Sequence, residues 1–268
     1  MQATVDHSSS KCPYQSKVEV KVTAKMPSPK ITLYRTNGAC SLVPHSILAH
    51  FAIPFNAVEM EPTPDGTDGI GGRYRAADGS LTHEEYRRIN PTGYVPCLVV
   101  TDNVTEMPDG GVDKTVITEM PAVLTYIASL VPDQNLFGRT AVQRAKAYEW
   151  VCWLSGTLHS LGYAGVLRPE RFVKGEEAKF EIVARGQKII DECYARIDKR
   201  LAGRKFAVGD GLAVVDFNLY IFYRWGCKAG TEMGRLYSNY ERIARMVEGL
   251  DGVAKVVHVE KHQLVFQN

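Results

Sequence analysis

Paired cysteines are missing from this chain: its six (Cys12, Cys40, Cys97, Cys152, Cys193 and Cys227) lie scattered, with no Cys-x-x-Cys among them. That spacing argues against a disulfide framework or a zinc site and suits reduced, mostly packed thiols. An excess of charge of one sign is missing too. With 32 basic and 30 acidic residues the formal charge is only +2, so there is no electrostatic case for a nucleic-acid or anionic-membrane partner, and small molecules fit better. No apolar run approaches the roughly 20 residues that span a bilayer. The longest, Ile117 to Val131, is broken by Glu119 and Pro121. Residues 1–29 are rich in Lys, Ser and Pro and lack the continuous apolar stretch of a secretory signal. A cytoplasmic address is the resulting expectation.

What is present is an ordinary globular composition, 45% apolar and 23% charged over 268 residues, a length at which two packed domains are the default. Residues 1–29 read as an extension, because Pro27 and Pro29 cut the alternating stretch Val18–Val22 off from the strand that starts at Ile31. Residues 30–131 then mix strand and helix signals. Ile31–Tyr34 is a short strand, Asn37-Gly38 a turn, and Pro44, Ile47, Leu48 and Phe51 begin and line a helix. Phe55–Met60 reads as a second strand and Leu81–Ile89 as a short polar helix. Val95–Val100 is a buried strand closed by a turn at Asp102-Asn103, and Lys114–Thr118 is another strand before the helical spacing of Met120–Leu130. Two stretches, 61–80 and 104–113, read as loop insertions. The order is βαβ-α-ββα, a mixed four-stranded sheet.

Beyond a linker at Val131–Arg139, strand signals vanish. Ala141–Leu161, Glu176–Leu201, Val214–Trp225 and Tyr240–Leu250 carry helical apolar spacing, so residues 140–268 read as an all-α domain. His258 and His262 have ligand-like spacing but lack the acid of a zinc hydrolase motif, and Gly69–Gly72 is too bare for a phosphate loop. No metal is expected.

Three stretches carry more specific information. They are Leu33-Tyr34-Arg35-Thr36-Asn37-Gly38-Ala39-Cys40-Ser41-Leu42-Val43-Pro44-His45, Asn90-Pro91-Thr92-Gly93-Tyr94-Val95-Pro96-Cys97-Leu98, and Thr118-Glu119-Met120-Pro121-Ala122-Val123-Leu124-Thr125-Tyr126-Ile127. In this order they resemble the first strand and active-site loop, the cis-proline loop and the third-helix start of the glutathione S-transferases, most nearly the bacterial beta-class branch. Glu149–Leu154 with Leu158-His159 is similar to the helix by which that branch supplies a His. Phe206–Asp210 with Val214–Asp216 is similar to the superfamily's folding motif in the helical domain. The resemblance implies an α/β thioredoxin-like N-terminal domain followed by an all-α domain. It also implies glutathione as co-substrate, a small-molecule electrophile as partner, and a two-fold homodimer.

The site residues come from that resemblance and from chemistry. A thiol of pKa about 8.5 is a poor nucleophile at neutral pH until donors and a positive helix end hold its thiolate. Cys40 and Ser41 stand just before the first helix, where unpaired N–H groups and the helix dipole suit an anion. Either one fits the donor's role, and Cys40 also fits a mixed disulfide. Tyr34, which takes the catalytic role in other branches, is read as structural. Val95 and Pro96 would offer backbone groups to the tripeptide's cysteinyl residue. Glu119 and the N–H of Met120 would take its glutamyl end. Met120 stands where many relatives have Ser, a change that removes one hydroxyl donor and about 1 kcal/mol. His159 would contact glutathione or the electrophile, although Ser160 comes after it where the branch often has Lys. Tyr163, Leu167 and Arg168 would line the electrophile pocket. In the folding motif Ala213 forfeits a cap of about 1 kcal/mol, and Asp216 is left to tether the preceding loop.

These residues fit glutathione addition to an electrophilic carbon of a conjugated small molecule. They also fit a glutathione-dependent cis-trans double-bond isomerase, a thiol-disulfide reductase through Cys40, and a non-catalytic binding module.

Overall fold

The computed structural model describes residues 29–63, 71–106 and 112–266. Nearly all of the expected extension, and the centres of both expected insertions, lie outside those residues. Strand β1 (Lys30–Arg35) is the middle of the sheet, with Ile31, Leu33 and Arg35 buried on one face, the period of two its sequence shows. It runs parallel to β2 (Asn56–Pro62) and antiparallel to β4 (Cys97–Glu106). A further strand, β3 (Tyr74–Ala76), pairs with β2, and β5 (Val112–Ile117) pairs with β4.

The sheet therefore has five strands in the order β3-β2-β1-β4-β5, which corrects the expected four. The stretch 61–80 is part strand, not only loop. Met60 and Pro62 pair with Ala76 and Tyr74, whose side chains join Met60 and Tyr86 in a small second core. Three residues are too few to show a period of two inside a Gly- and Asp-rich stretch. The turn expected at Asp102-Asn103 is corrected as well, because β4 runs through it to Glu106.

Three helices cover the sheet: α1 (Leu42–His50), α2 (His83–Ile89) and α3 (Met120–Ser129). Thr82 and Glu85 close a reciprocal capping box at the start of α2. Every residue of α1 from Leu42 to Leu48 is buried. A helix buried on all faces is one enclosed on both sides, and α1 lies between the sheet and the helical half.

That half starts with α4 (Ala141–Trp153), capped by Thr140 and Gln143. It continues without a break through π-helical turns (Leu154–Tyr163) into α5 (Ala164–Leu167). A 3-10 turn (Pro169–Arg171) leads to the long α6 (Glu176–Leu201). Then come α7 (Val214–Lys228), α8 (Met233–Leu236), α9 (Ser238–Glu248) and α10 (Asp251–Val259). Helix α7 is buried from Val214 to Tyr223 and forms the centre of this half. Although Ala213 caps nothing with its side chain, Asp216 accepts the N–H groups of Ala207 and Ala213, each at 2.8 Å, and so ties the preceding loop to α7. The whole is an α/β thioredoxin-like half followed by an all-α half. Among the described residues no helix is long and apolar enough to cross a membrane.

Candidate active site

A groove of about 910 Å³ opens between the two halves. Its N-terminal wall is the turn after β1. Gly38 sits at φ 66°, in the left-handed region that glycine enters without steric cost. Any side chain there would run into the His262 ring. The turn is held from the far end of the chain: the Gly38 N–H donates to Glu260 Oε2 at 2.8 Å, and Trp225 Nε1 donates to the Gly38 carbonyl at 2.9 Å. Glu260 is fully buried, and His45 Nδ1 in α1 donates to its Oε1 at 2.7 Å. A side chain placed just after α10 thus braces both the turn and the helix beside it.

Cys40 and Ser41, equivalent by sequence, face opposite ways. The Ser41 hydroxyl is buried, accepts from the Thr36 N–H at 3.0 Å and donates to the Thr36 carbonyl at 3.2 Å. Its expected place in the site is revised accordingly, because both of its bonding directions are engaged within the turn and it does not line the groove. Cys40 does line it, and its thiol donates to the Val95 carbonyl at 3.5 Å. Burial pushes the Cys40 thiol up to about 11, against the smaller downward pull of the Cys40 and Ser41 N–H groups and of Arg168. At neutral pH it is therefore a thiol that donates a hydrogen bond, not a free thiolate. Tyr34 lies outside the groove, with its ring 5.3 Å from that of Tyr86.

The second wall comes from the loop before β4. The Val95–Pro96 peptide is cis and both residues line the groove. The loop is pinned by its Tyr94 carbonyl, which accepts from Tyr86 Oη at 2.7 Å and from Asn90 Nδ2 at 2.8 Å. The third wall is the start of α3. Glu119 precedes it at φ 63° and ψ 127° with no side-chain cap bond. A non-glycine residue held there costs about 1–3 kcal/mol, a strain that concentrates at ligand sites. It leaves the exposed Glu119 carboxylate beside the open N–H of Met120, and both residues line the groove.

The helical half supplies the opposite side. His159 stands in the π-helical turns, a geometry frequent at functional sites. Its ring centroid is 5.5 Å from that of Trp225 and 6.1 Å from that of Phe222. Burial, then the charges of Arg168 and Arg171, pull it down to about 4, so it is neutral at physiological pH. Tyr163 is buried, its hydroxyl paired with that of Tyr194, and its ring meets Trp225 edge-on at 4.8 Å. It offers the groove a ring and not a hydroxyl. Leu167, two-thirds exposed, forms the lip, and Arg168 reaches back to donate to Tyr74 Oη at 3.3 Å. All the predicted site residues except Ser41 therefore line one groove.

Tyr74, Arg171, Phe222, Trp225 and Lys228 line it too and were not expected. Arg171, three residues beyond Arg168 across Pro169, carried a faint signal. The others carried none: Tyr74, Phe222 and Trp225 lie in segments read for their loop or helix character alone, and Lys228 lies beyond the helix expected over Val214–Trp225.

No protein-family model matches the chain. It is 27% identical over 227 residues to "Glutathione S-transferase GST-4.5" of Xanthomonas campestris pv. campestris, covering 82% of this chain and 94% of that protein. Among solved structures, a sphingomonad glutathione S-transferase complexed with glutathione aligns with a TM-score of 0.64 at 25% identity, over 86% of this chain and 98% of that one. The bacterial beta-class enzyme of Sphingomonas chungbukensis aligns with a TM-score of 0.63 at 23% identity, over 85% and 98%.

Proposed function

We propose that this chain, a member of the glutathione S-transferase superfamily, holds glutathione in the groove between its halves and directs the tripeptide's thiol at an electrophilic, conjugated small molecule. One observation carries the reading: the Cys40 thiol, the Val95 backbone and the Glu119–Met120 helix start converge on one groove although they come from three separate segments. Glutathione offers a matching set, with a thiol in its middle, peptide groups beside it and an amino-acid end.

In this reading Val95 pairs with the cysteinyl backbone as an added strand would. Glu119 takes the glutamyl ammonium, and the N–H groups at the α3 start take the carboxylate. The sulfur then lies before α1, where the Cys40 and Ser41 N–H groups and the helix dipole favour the thiolate over the thiol. The Cys40 S–H turns from Val95 to donate to it. Burial holds Cys40 itself protonated, which favours this donor's role over that of a redox thiolate. His159, neutral, is placed to donate to or accept from the second substrate, whose planar part would lie against Trp225 and Phe222. Addition of the thiolate to a conjugated carbon forms the C–S bond, and the carbanion so generated takes a proton from solvent or from a neighbouring donor.

Calorimetry tests binding: glutathione is expected to be taken up at millimolar concentration or below, and no uptake defeats the reading. Incubation with a panel of conjugated enones tests the chemistry. A mass gain equal to glutathione marks conjugation, whereas unchanged mass with altered double-bond geometry assigns the isomerase reaction instead. The same reading proposes a homodimer, to be checked by sedimentation; a monomeric mass at micromolar concentration contradicts it.

A further inference from the structure

The groove carries more positive charge than its walls balance. Among the described residues Arg168, Arg171 and Lys228 line it against a single acid, Glu119. Other partly buried arginines of the helical half meet a carboxylate: Arg200 pairs with Glu149 at 2.8 Å and Arg224 with Glu248 at 3.4 Å. Among the described residues Arg168 and Arg171 have no such carboxylate. Arg168 is steadied by the neutral Tyr74 hydroxyl, and Arg171 lies over the Tyr94 ring at 5.0 Å. Arg171 Nε and Nη2 are buried without any hydrogen-bond partner among the described residues. Glu170 is in electrical reach of Arg171 but forms no ion pair with it.

Burying guanidinium donors without an acceptor is costly, and a native structure that keeps such a group generally has something to bring to it. A guanidinium steadied by aromatic groups instead of acids keeps its fork open to a planar anion. The position narrows the choice of anion. Both arginines act electrically on His159, and Arg168 also acts on Cys40, so the pair stands close to the reaction centre. Around it are the aromatic faces of Trp225, Phe222 and Tyr163 and the exposed apolar lip of Leu167 and Phe172.

We infer that Arg168 and Arg171 form a carboxylate subsite, which selects a second substrate carrying an acid group on a flat, conjugated or aromatic body. This rests on the proposed glutathione chemistry for its meaning, but the subsite can be tested without glutathione. The same carboxylate chemistry has a second source, the glycyl end of glutathione, and the arms of the experiment separate the two.

Calorimetry with trans-cinnamate and methyl cinnamate, glutathione absent, is the first arm. The acid is expected to bind the wild-type protein at least about tenfold more tightly than the ester, and Arg168→Met and Arg171→Met should each remove that preference while leaving ester binding within about twofold. Arg171→Lys, which keeps the charge and loses the fork, should fall between. Circular dichroism confirms that each variant is folded. Equal binding of acid and ester by the wild type overturns the subsite, as does an equal loss of both ligands in folded variants. The second arm titrates glutathione. If the arginine variants weaken glutathione and leave cinnamate untouched, the carboxylate is the tripeptide's and the second-substrate inference is overturned. If the wild type takes up no glutathione but discriminates acid from ester, the proposed function fails and the subsite stands.

Discussion

Replacing Glu260, a residue remote in sequence from every proposed contact, should loosen the groove and lower stability together. Its two oxygens accept from the Gly38 N–H at 2.8 Å and from His45 Nδ1 at 2.7 Å. Glu260 and His45 are buried, so no water replaces the acceptor that His45 loses. Breaking a buried pair from one side costs about 3–5 kcal/mol, and the half-buried Gly38 donor adds little because it lines the groove. Glu260→Ala should therefore lose about 4 kcal/mol, a large share of a typical roughly 5–15 kcal/mol. With a urea slope of about 3 kcal/mol/M, the midpoint moves down by about 1.3 M. Glu260→Gln keeps one acceptor oxygen and should lose about half as much.

The functional readout is separate. The Gly38 turn still has the Trp225 N–H on its carbonyl, so the loop is loosened and not released. The KM for glutathione should rise several-fold, more than kcat falls, because the turn carries Cys40 into the groove. Urea titration monitored by circular dichroism, with steady-state kinetics on the same variants, checks both. A midpoint shift below about 0.3 M for the alanine variant would mean that the two donors find other partners, and the bracing argument would be wrong.

Three further outcomes are expected from the site and the core. Burial holds the Cys40 thiol up to about 11, so alkylation by iodoacetamide at pH 7 should spare Cys40, label the exposed Cys152 first among the cysteines of the described residues, and speed up at Cys40 about tenfold per pH unit as pH rises toward that value; rapid labelling of Cys40 at pH 7, read by peptide mass mapping, refutes the donor assignment. His159 is pulled down to about 4, so the pH–rate profile should show no limb near the ordinary His value of about 6.5, and a limb there that disappears in His159→Gln would show that the ring titrates in the working range. Asp216 is raised by burial from 3.8 to about 7, so the native state keeps a proton that the unfolded chain releases; its contribution is fullest below the ordinary value and declines as pH rises through that window to about 7. Asp216→Asn should flatten this slope in urea midpoints taken at pH 5 and pH 8, and an unchanged slope would place the titration elsewhere.

Much of the architecture is legible in local pattern. The alternation in Ile31–Tyr34 marks β1, Pro44 and the apolar residues after it mark α1, and the spacing of Glu176–Leu201 marks α6, because an element buried on one face writes its own period into the chain. The groove's loops are legible through their resemblance to a known family, down to the cis Val95–Pro96 peptide. Such patterns report which residues are buried but not what they meet. Only the packed structure turned Ser41 inward onto Thr36 and Cys40 outward to the groove, since adjacent residues at a helix start differ in direction and not in composition. Only it set Tyr74 of β3 against Arg168, Arg171 against Tyr94, and Glu260 against a glycine 222 positions earlier. Those contacts join segments whose local preferences are satisfied without them, so their energy belongs to the closed fold and leaves no period in the sequence.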